Sequence, residues 1–161
     1  MLQRIVLSKE DMKFSIAHFT IFSKEKRERL HGHNYQLKVF IDLKNIENGM
    51  AFDYREVKVS IRSLCKRLDE RFAVQELSPY LKITKNKEMI SLKFAGEKMS
   101  FPADDVLLLP IENTTLECLG DYVIDQLLAG MSTGVRANIS ALGIKLSSGP
   151  GQTLVKKIST V

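Results

Sequence analysis

Histidine is scarce in this chain, and its placement is the first clue to chemistry. There are only three, and all fall within residues 18–33: His18 in "KFSIAHFTIF", then His31 and His33 in "RERLHGHNYQLKVF". In a β-strand, residues two apart face the same side. His31 and His33 can therefore aim at one point, with Gly32 adding no bulk between them. Phe14, Ile16 and His18 share one parity, so His18 points with an apolar face and can supply a third ring. Imidazole suits zinc, and three protein ligands with one open position is the usual arrangement of a catalytic zinc site. Neither cysteine, Cys65 nor Cys118, lies near the cluster, which argues against a closed structural site. A bare H-x-H is more often a polar strand pair; concentrating every histidine in one short stretch is what raises the metal reading to a contender.

Those side chains need elements to hold them. Residues 13–22 read as a strand and 34–43 as a second, with "KEKRER" as a charged connection and Asn48-Gly49 as a turn. Val57, Ile61, Leu64, Cys65 and Leu68 recur at helical spacing over 55–69, with Asp53 as N-cap. Residues 80–102 resemble two or three short strands joined by polar turns. A second helix begins after Thr114 or Thr115, and Thr114-x-x-Glu117 fits a capping box. "ANISALGIKLSS" opens a final strand region, "GPGQ" breaks it and "TLVKKI" resumes it. The order is β-β-α, hairpin, α-β-β: one α+β domain over residues 1–161 with antiparallel strands. Both cysteines sit in apolar helical patterns and read as buried free thiols.

The net charge of +5 permits an anionic partner. The basic residues are scattered, however, where a nucleic-acid reader concentrates them in a stripe interleaved with aromatic platforms. No nucleic-acid partner is expected. The N-terminus is too polar for a signal peptide, and no apolar run approaches the roughly 20 residues of a membrane span. A cytoplasmic protein with no membrane contact is the expectation.

Taken together, "FSIAHF", "LHGHNYQLKV", "GMAFDYREVK", "LDERF" and "NTTLE" resemble the 6-pyruvoyl-tetrahydropterin synthase and 6-carboxy-tetrahydropterin synthase family over residues 10–155. The resemblance implies the tunnelling fold, β-β-α-α-β-β, with an antiparallel sheet and two helices on one face. It implies trimers forming a barrel, commonly paired as hexamers, with active sites between subunits. His18, His31 and His33 match the zinc ligands, the usual substrate is dihydroneopterin triphosphate, and Thr114 and Thr115 match a stretch lining the pterin pocket.

Three positions depart from the family. Arg27 stands where the catalytic cysteine usually lies, and arginine stays protonated, so it cannot be the base. Glu28 stands three residues before His31, as in a subgroup where glutamate replaces that cysteine and the substrate side chain is cleaved to 6-hydroxymethyl-dihydropterin. A carboxylate there can serve as general base; in isolation it is one more charge in a solvated loop. In "LDERF", Asp69 is retained but Glu70 replaces the usual proton-transferring histidine; both could instead simply end the helix. Ser148 stands where a glutamate usually anchors the pterin, and a hydroxyl cannot replace a bidentate carboxylate acceptor. Glu117 or Glu112 could fill that role. Residues 82–101 also look longer than the family's usual connection.

The expected function is a zinc-dependent lyase acting on a pterin, with Glu28, Asp69 and Glu70 catalytic and Thr114, Thr115, Glu117 and Ser148 at the ring. The alternative is a paralogue that keeps zinc and fold but binds a different heterocycle or serves in assembly. A carboxylate lining the pocket opposite the histidines would discriminate between them.

Overall fold

The structure, a computed structural model, describes residues 3–160. Three strands open the chain: β1 (Arg4–Leu7), β2 (Lys13–His18) and β3 (His31–Leu43). Helix α1 (Tyr54–Leu68) leads into β4 (Arg71–Gln75). Three further strands follow, β5 (Lys82–Lys85), β6 (Met89–Phe94) and β7 (Glu97–Pro102). Then come β8 (Val106–Leu109), α2 (Leu116–Ala129), the short α3 (Thr133–Ala137), β9 (Ile139–Gly149) and β10 (Gln152–Ser159).

The main sheet runs β10-β9-β3-β2-β4-β8, and β1 also pairs with β3. Alternation sorts its faces. Phe14 and Ile16 of β2, Leu37, Val39 and Ile41 of β3, and Ile144 and Leu146 of β9 point to one buried side. Against them pack Val57, Ile61, Leu64, Cys65 and Leu68 of α1, as the spacing predicts, and Leu119, Val123 and Leu127 of α2. Both helices thus cover one face, as expected. Burial pushes the Cys65 thiol up to about 11, so it is an inert core group; Cys118 is only half-buried.

The expectation of a purely antiparallel sheet is corrected. β4 pairs parallel with β2, and β8 pairs parallel with β4. Alternation reports which face a residue occupies and carries no mark of strand direction; a connection long enough to contain a helix permits parallel pairing. The capping box is corrected as well. Thr115 is the N-cap of α2, its hydroxyl accepting from the Cys118 amide, so the third helical position is Cys118 rather than Glu117. The Thr114 hydroxyl is engaged elsewhere, donating to the Phe19 carbonyl at 2.9 Å.

β5, β6 and β7 form a separate antiparallel sheet with its own small core. Leu92 and Phe94 bury against Phe19, Phe72 and Val74, with the Phe72 ring 5.9 Å from that of Phe19 and 4.7 Å from that of Phe101. This second core rests on the backbone segment that continues β2.

On the outer face of the main sheet, Asp42 is only 2% exposed. Arg4, its cross-strand partner on β1, donates to it at 2.6 and 3.1 Å, and Lys157 of β10 lies 2.7 Å away. The Arg4 hydrogen bond is the main cause of a carboxyl held at about 2; burial opposes it and Lys157 reinforces it. A native pKa depressed below the unfolded value contributes stability above that value, which is lost as pH falls through the native pKa. The loss therefore falls between pH 3.8 and about 2. Because both cations are half-exposed, Asp42→Asn is expected to cost only about 1 kcal/mol near neutrality. Urea midpoints followed from pH 7 to 2 should show a shallower acid limb in the variant; superimposable acid limbs would exclude the bridge as a source of stability.

Candidate active site

Register brings the histidines together. β2 and β3 pair so that His18 lies directly opposite His31 and Ile16 opposite His33. All three imidazoles then project to the face that carries the core, near its open end. Ring centroids lie 4.8 Å apart for His18 and His31, 5.2 Å for His18 and His33, and 4.8 Å for His31 and His33. Gly32 suits the close approach here, since a Cβ would make a tight 3.3 Å contact with the Ile16 carbonyl oxygen.

Two of the rings are oriented by backbone carbonyls. His18 Nδ1 lies 2.9 Å from the Thr114 carbonyl oxygen, and His31 Nδ1 lies 2.7 Å from that of Arg29. A carbonyl only accepts, so each Nδ1 carries its proton and leaves Nε2 with a free lone pair. His18 Nε2 is buried with no hydrogen-bond partner. His31 Nε2 and His33 Nε2 stand 3.0 Å apart, and one ligand atom from each of the three rings lies within 4.8 Å of the others. Nitrogens around one tetrahedral zinc stand about 3.3 Å apart, as Zn–N bonds of about 2.0–2.1 Å require. The buried orphan nitrogen of His18, two neighbouring rings that converge on it and an all-imidazole donor set fit a zinc ion. Burial is the main cause that lowers the His18 pKa, aided by the neighbouring His31; a neutral imidazole is the form that ligates.

Glu28 is not a solvated loop charge. Its amide donates to the Thr20 carbonyl at 2.8 Å, and its Oε2 accepts from the Thr20 amide at 2.9 Å. This turns the half-buried carboxylate inward. Burial pushes its pKa up, but the hydrogen bonds from Thr20, with a smaller contribution from the neighbouring histidine rings, carry it below the ordinary value.

These groups line one cavity of about 360 Å³. It contains His18, His31, His33 and Glu28, and also Thr114, Thr115, Glu117 and Ser148. Thr114 is fully buried, and Asn113 stitches its loop to the β2 extension by bonding both the amide and the carbonyl of Ile21. The Ser148 hydroxyl donates to Gln152 Oε1 at 3.2 Å. Glu112 is exposed and lies outside the lining.

Asp69 and Glu70 stand apart. Asp69 ends α1 and accepts from the Ser15 amide at 2.7 Å; the Glu70 amide donates to the Ser15 carbonyl at 2.8 Å. With Lys13, Ser15, Asn34 and Gln36 they border a second depression. Ser15 and Asn34 have the parity opposite to the histidines, so within one protomer this pair does not reach the histidine cavity.

Sequence reasoning missed Tyr35, Thr20, Gln152 and Thr153, which also line the cavity. The signal for Tyr35 was present: it lies two residues beyond His33 on the same strand face. Its phenol is pushed up to about 12, chiefly by burial and further by Glu28, so it stays neutral as a hydrogen-bonding group. Nothing in the sequence marks Gln152, which returns to the site only because β10 folds back on β9.

Comparison with known proteins agrees with this geometry. The sequence pattern of the 6-pyruvoyl tetrahydropterin synthase family matches residues 7–152. A Methanocaldococcus jannaschii protein provisionally named 6-carboxy-5,6,7,8-tetrahydropterin synthase is 25% identical over 146 residues, covering 88% of this chain and 86% of its own. A Pyrococcus abyssi protein with the same provisional name is 29% identical over 140 residues, covering 83% and 79%. Among solved structures, 6-pyruvoyl tetrahydropterin synthase from Plasmodium vivax superposes with a TM-score of 0.91 at 25% identity, covering 99% of both chains. The Plasmodium falciparum enzyme gives 0.91 at 26% identity, covering 98% of both. With its tunnelling-type α+β fold and its family pattern spanning most of the chain, the protein belongs to the 6-pyruvoyl tetrahydropterin synthase family, a family of pterin-processing lyases.

Proposed function

We propose that this protein is a zinc-dependent lyase that cleaves the side chain of a pterin such as dihydroneopterin triphosphate, releasing 6-hydroxymethyl-dihydropterin. The observation that carries the reading is Glu28: an inward-turned carboxylate, fixed by the Thr20 amide at 2.9 Å, on the cavity where three imidazoles converge. A Plasmodium vivax relative, 24% identical, has been solved with alanine in place of a residue described as catalytic, and that residue is a glutamate.

His18, His31 and His33 would hold zinc. Bound there, zinc supplies Lewis-acid chemistry, acidifying a side-chain hydroxyl. Glu28 takes the hydroxyl proton as general base. That oxygen becomes a carbonyl as the adjacent carbon–carbon bond breaks. The bonding pair passes to the carbon attached to the ring, which then takes a proton.

Thr114, Thr115, Glu117 and Ser148 serve the ring. Glu117 supplies the carboxylate that the cavity needs once Ser148 has replaced the family's anchor, and its presence favours a pterin over an unrelated ligand or a purely structural role. Asp69 and Glu70 relay protons in the cavity of a neighbouring copy, within a trimer or hexamer. The lining of the histidine cavity includes no lysine or arginine among the described residues. Lys13, which borders the Asp69–Glu70 depression, would come with that copy to face the anionic tail. No helix among the described residues is long and apolar enough to cross a membrane.

The test is direct. Zinc-loaded protein is incubated with dihydroneopterin triphosphate and the products are separated by chromatography. Formation of 6-hydroxymethyl-dihydropterin, abolished by a chelator and restored by zinc, is the expected result. Unchanged substrate in the presence of bound zinc would overturn the assignment.

A further inference from the structure

Arg27 occupies a place from which it could have been expected to reach the cavity, yet it points the other way. Its guanidinium lies 5.1 Å from the centroid of the Phe19 ring, and its side chain is only 18% exposed. Nη1 donates to the Glu28 carbonyl oxygen at 2.8 Å. Nη2 and Nε both donate to Glu97 Oε2, at 2.6 and 3.0 Å. Glu97 is the first residue of β7, immediately after the tight turn at Ala95 and Gly96, whose φ values are +46° and +87°. Its neighbour across that turn, Phe94, is buried in the second core together with Phe19.

From these contacts we infer that the three-stranded sheet β5-β6-β7 is a positioning device for Glu28, with Glu97 and Arg27 as its positioning residues. This inference rests on the reading of Glu28 as the base. Glu28 is held from three directions: its amide by the Thr20 carbonyl, its carboxylate by the Thr20 amide, and its carbonyl by Arg27. The first two are local and come with the loop. The third ties the loop to a separate three-stranded sheet anchored through the second core. Only a planar guanidinium can bond two acceptors at fixed angles while stacking on an aromatic face. Lysine at the same place would keep the charge and lose the fork. Small displacements of a catalytic group weaken catalysis steeply, about 10²-fold for 1 Å, so a strut outside the cavity can govern turnover without touching substrate.

Glu97→Ala, which removes the oxygen that both Nε and Nη2 bond, and Arg27→Lys are compared with the parent protein. Glu97 is exposed, and lysine keeps the charge and the aliphatic stem of the largely buried Arg27, so the fold is retained. The expected result is a fall in kcat of about tenfold in each variant, with KM and zinc content unchanged. In the same samples, hydrogen exchange at the Thr20 and Glu28 amides should speed up several-fold. A variant that had merely lost stability would instead speed exchange throughout the core of the main sheet. Unchanged exchange at those two amides overturns the strut, whatever the activity. Faster exchange there, in a protein that does not turn over the pterin, supports the strut and removes the catalytic reading of Glu28 instead.

Discussion

Replacing Glu28 by glutamine is expected to lower kcat by about 10²–10⁴-fold, the usual worth of a positioned general base. Glutamine is the informative choice because it removes so little else. Its Oε1 can still accept from the Thr20 amide, which the carboxylate bonds at 2.9 Å, and Arg27 still holds the backbone carbonyl. The loop keeps its course, and His18 and His31 keep their carbonyl partners. What disappears is the capacity to take a proton. Zinc content by atomic emission and KM should therefore stay close to those of the parent, while single-turnover rates collapse. A glutamine variant that turns over at more than a tenth of the parent rate would remove Glu28 from the chemistry.

The histidine cluster was legible because it depends on one rule, the alternation of strand faces, applied to a residue type used three times in the chain. Register then had to agree, and His18 does lie opposite His31. Helix α1 was legible for a similar reason, its buried positions recurring at one period and Asp53 capping it through the Arg55 amide. Glu28 was a different case. Among six consecutive charged residues, nothing local says which one turns inward; the answer lies in Thr20, eight residues back, and in how the two segments cross. Strand direction was equally silent, so β4 and β8 entered the sheet parallel where an antiparallel sheet was expected. Thr114 and Thr115 differ by one position, and the choice between them as cap was made by Phe19, whose carbonyl claims the Thr114 hydroxyl. The link between Arg27 and Glu97 spans 70 residues, and no pattern of composition or spacing encodes such a pairing.

Asp69 and Glu70 present the problem that a single protomer does not solve. They border a depression on the strand face opposite to the histidines, and a β-sheet places its own backbone between those faces. If they act in the reaction, they act on another copy's cavity, and that arrangement has a consequence that mixing can expose. A Glu28→Gln chain keeps a sound Asp69–Glu70 pair. A chain carrying Asp69→Asn and Glu70→Gln keeps a sound Glu28. The asparagine still offers the oxygen that accepts from the Ser15 amide, and glutamine is as tolerant as glutamate of the φ of +56° at residue 70, so both chains should fold. Each alone should be nearly inactive. When the two are dissociated and reassembled together in equal amounts, roughly a quarter of the sites in a symmetric ring receive one sound contribution from each side. Activity should return to about that fraction of the parent value and should track the mixing ratio, with its maximum at equal proportions. Reassembly without recovery would mean that every cavity is completed by its own chain or not at all, and the proton relay would have to be sought among the groups that already line it, with Tyr35 and Glu117 the first to replace.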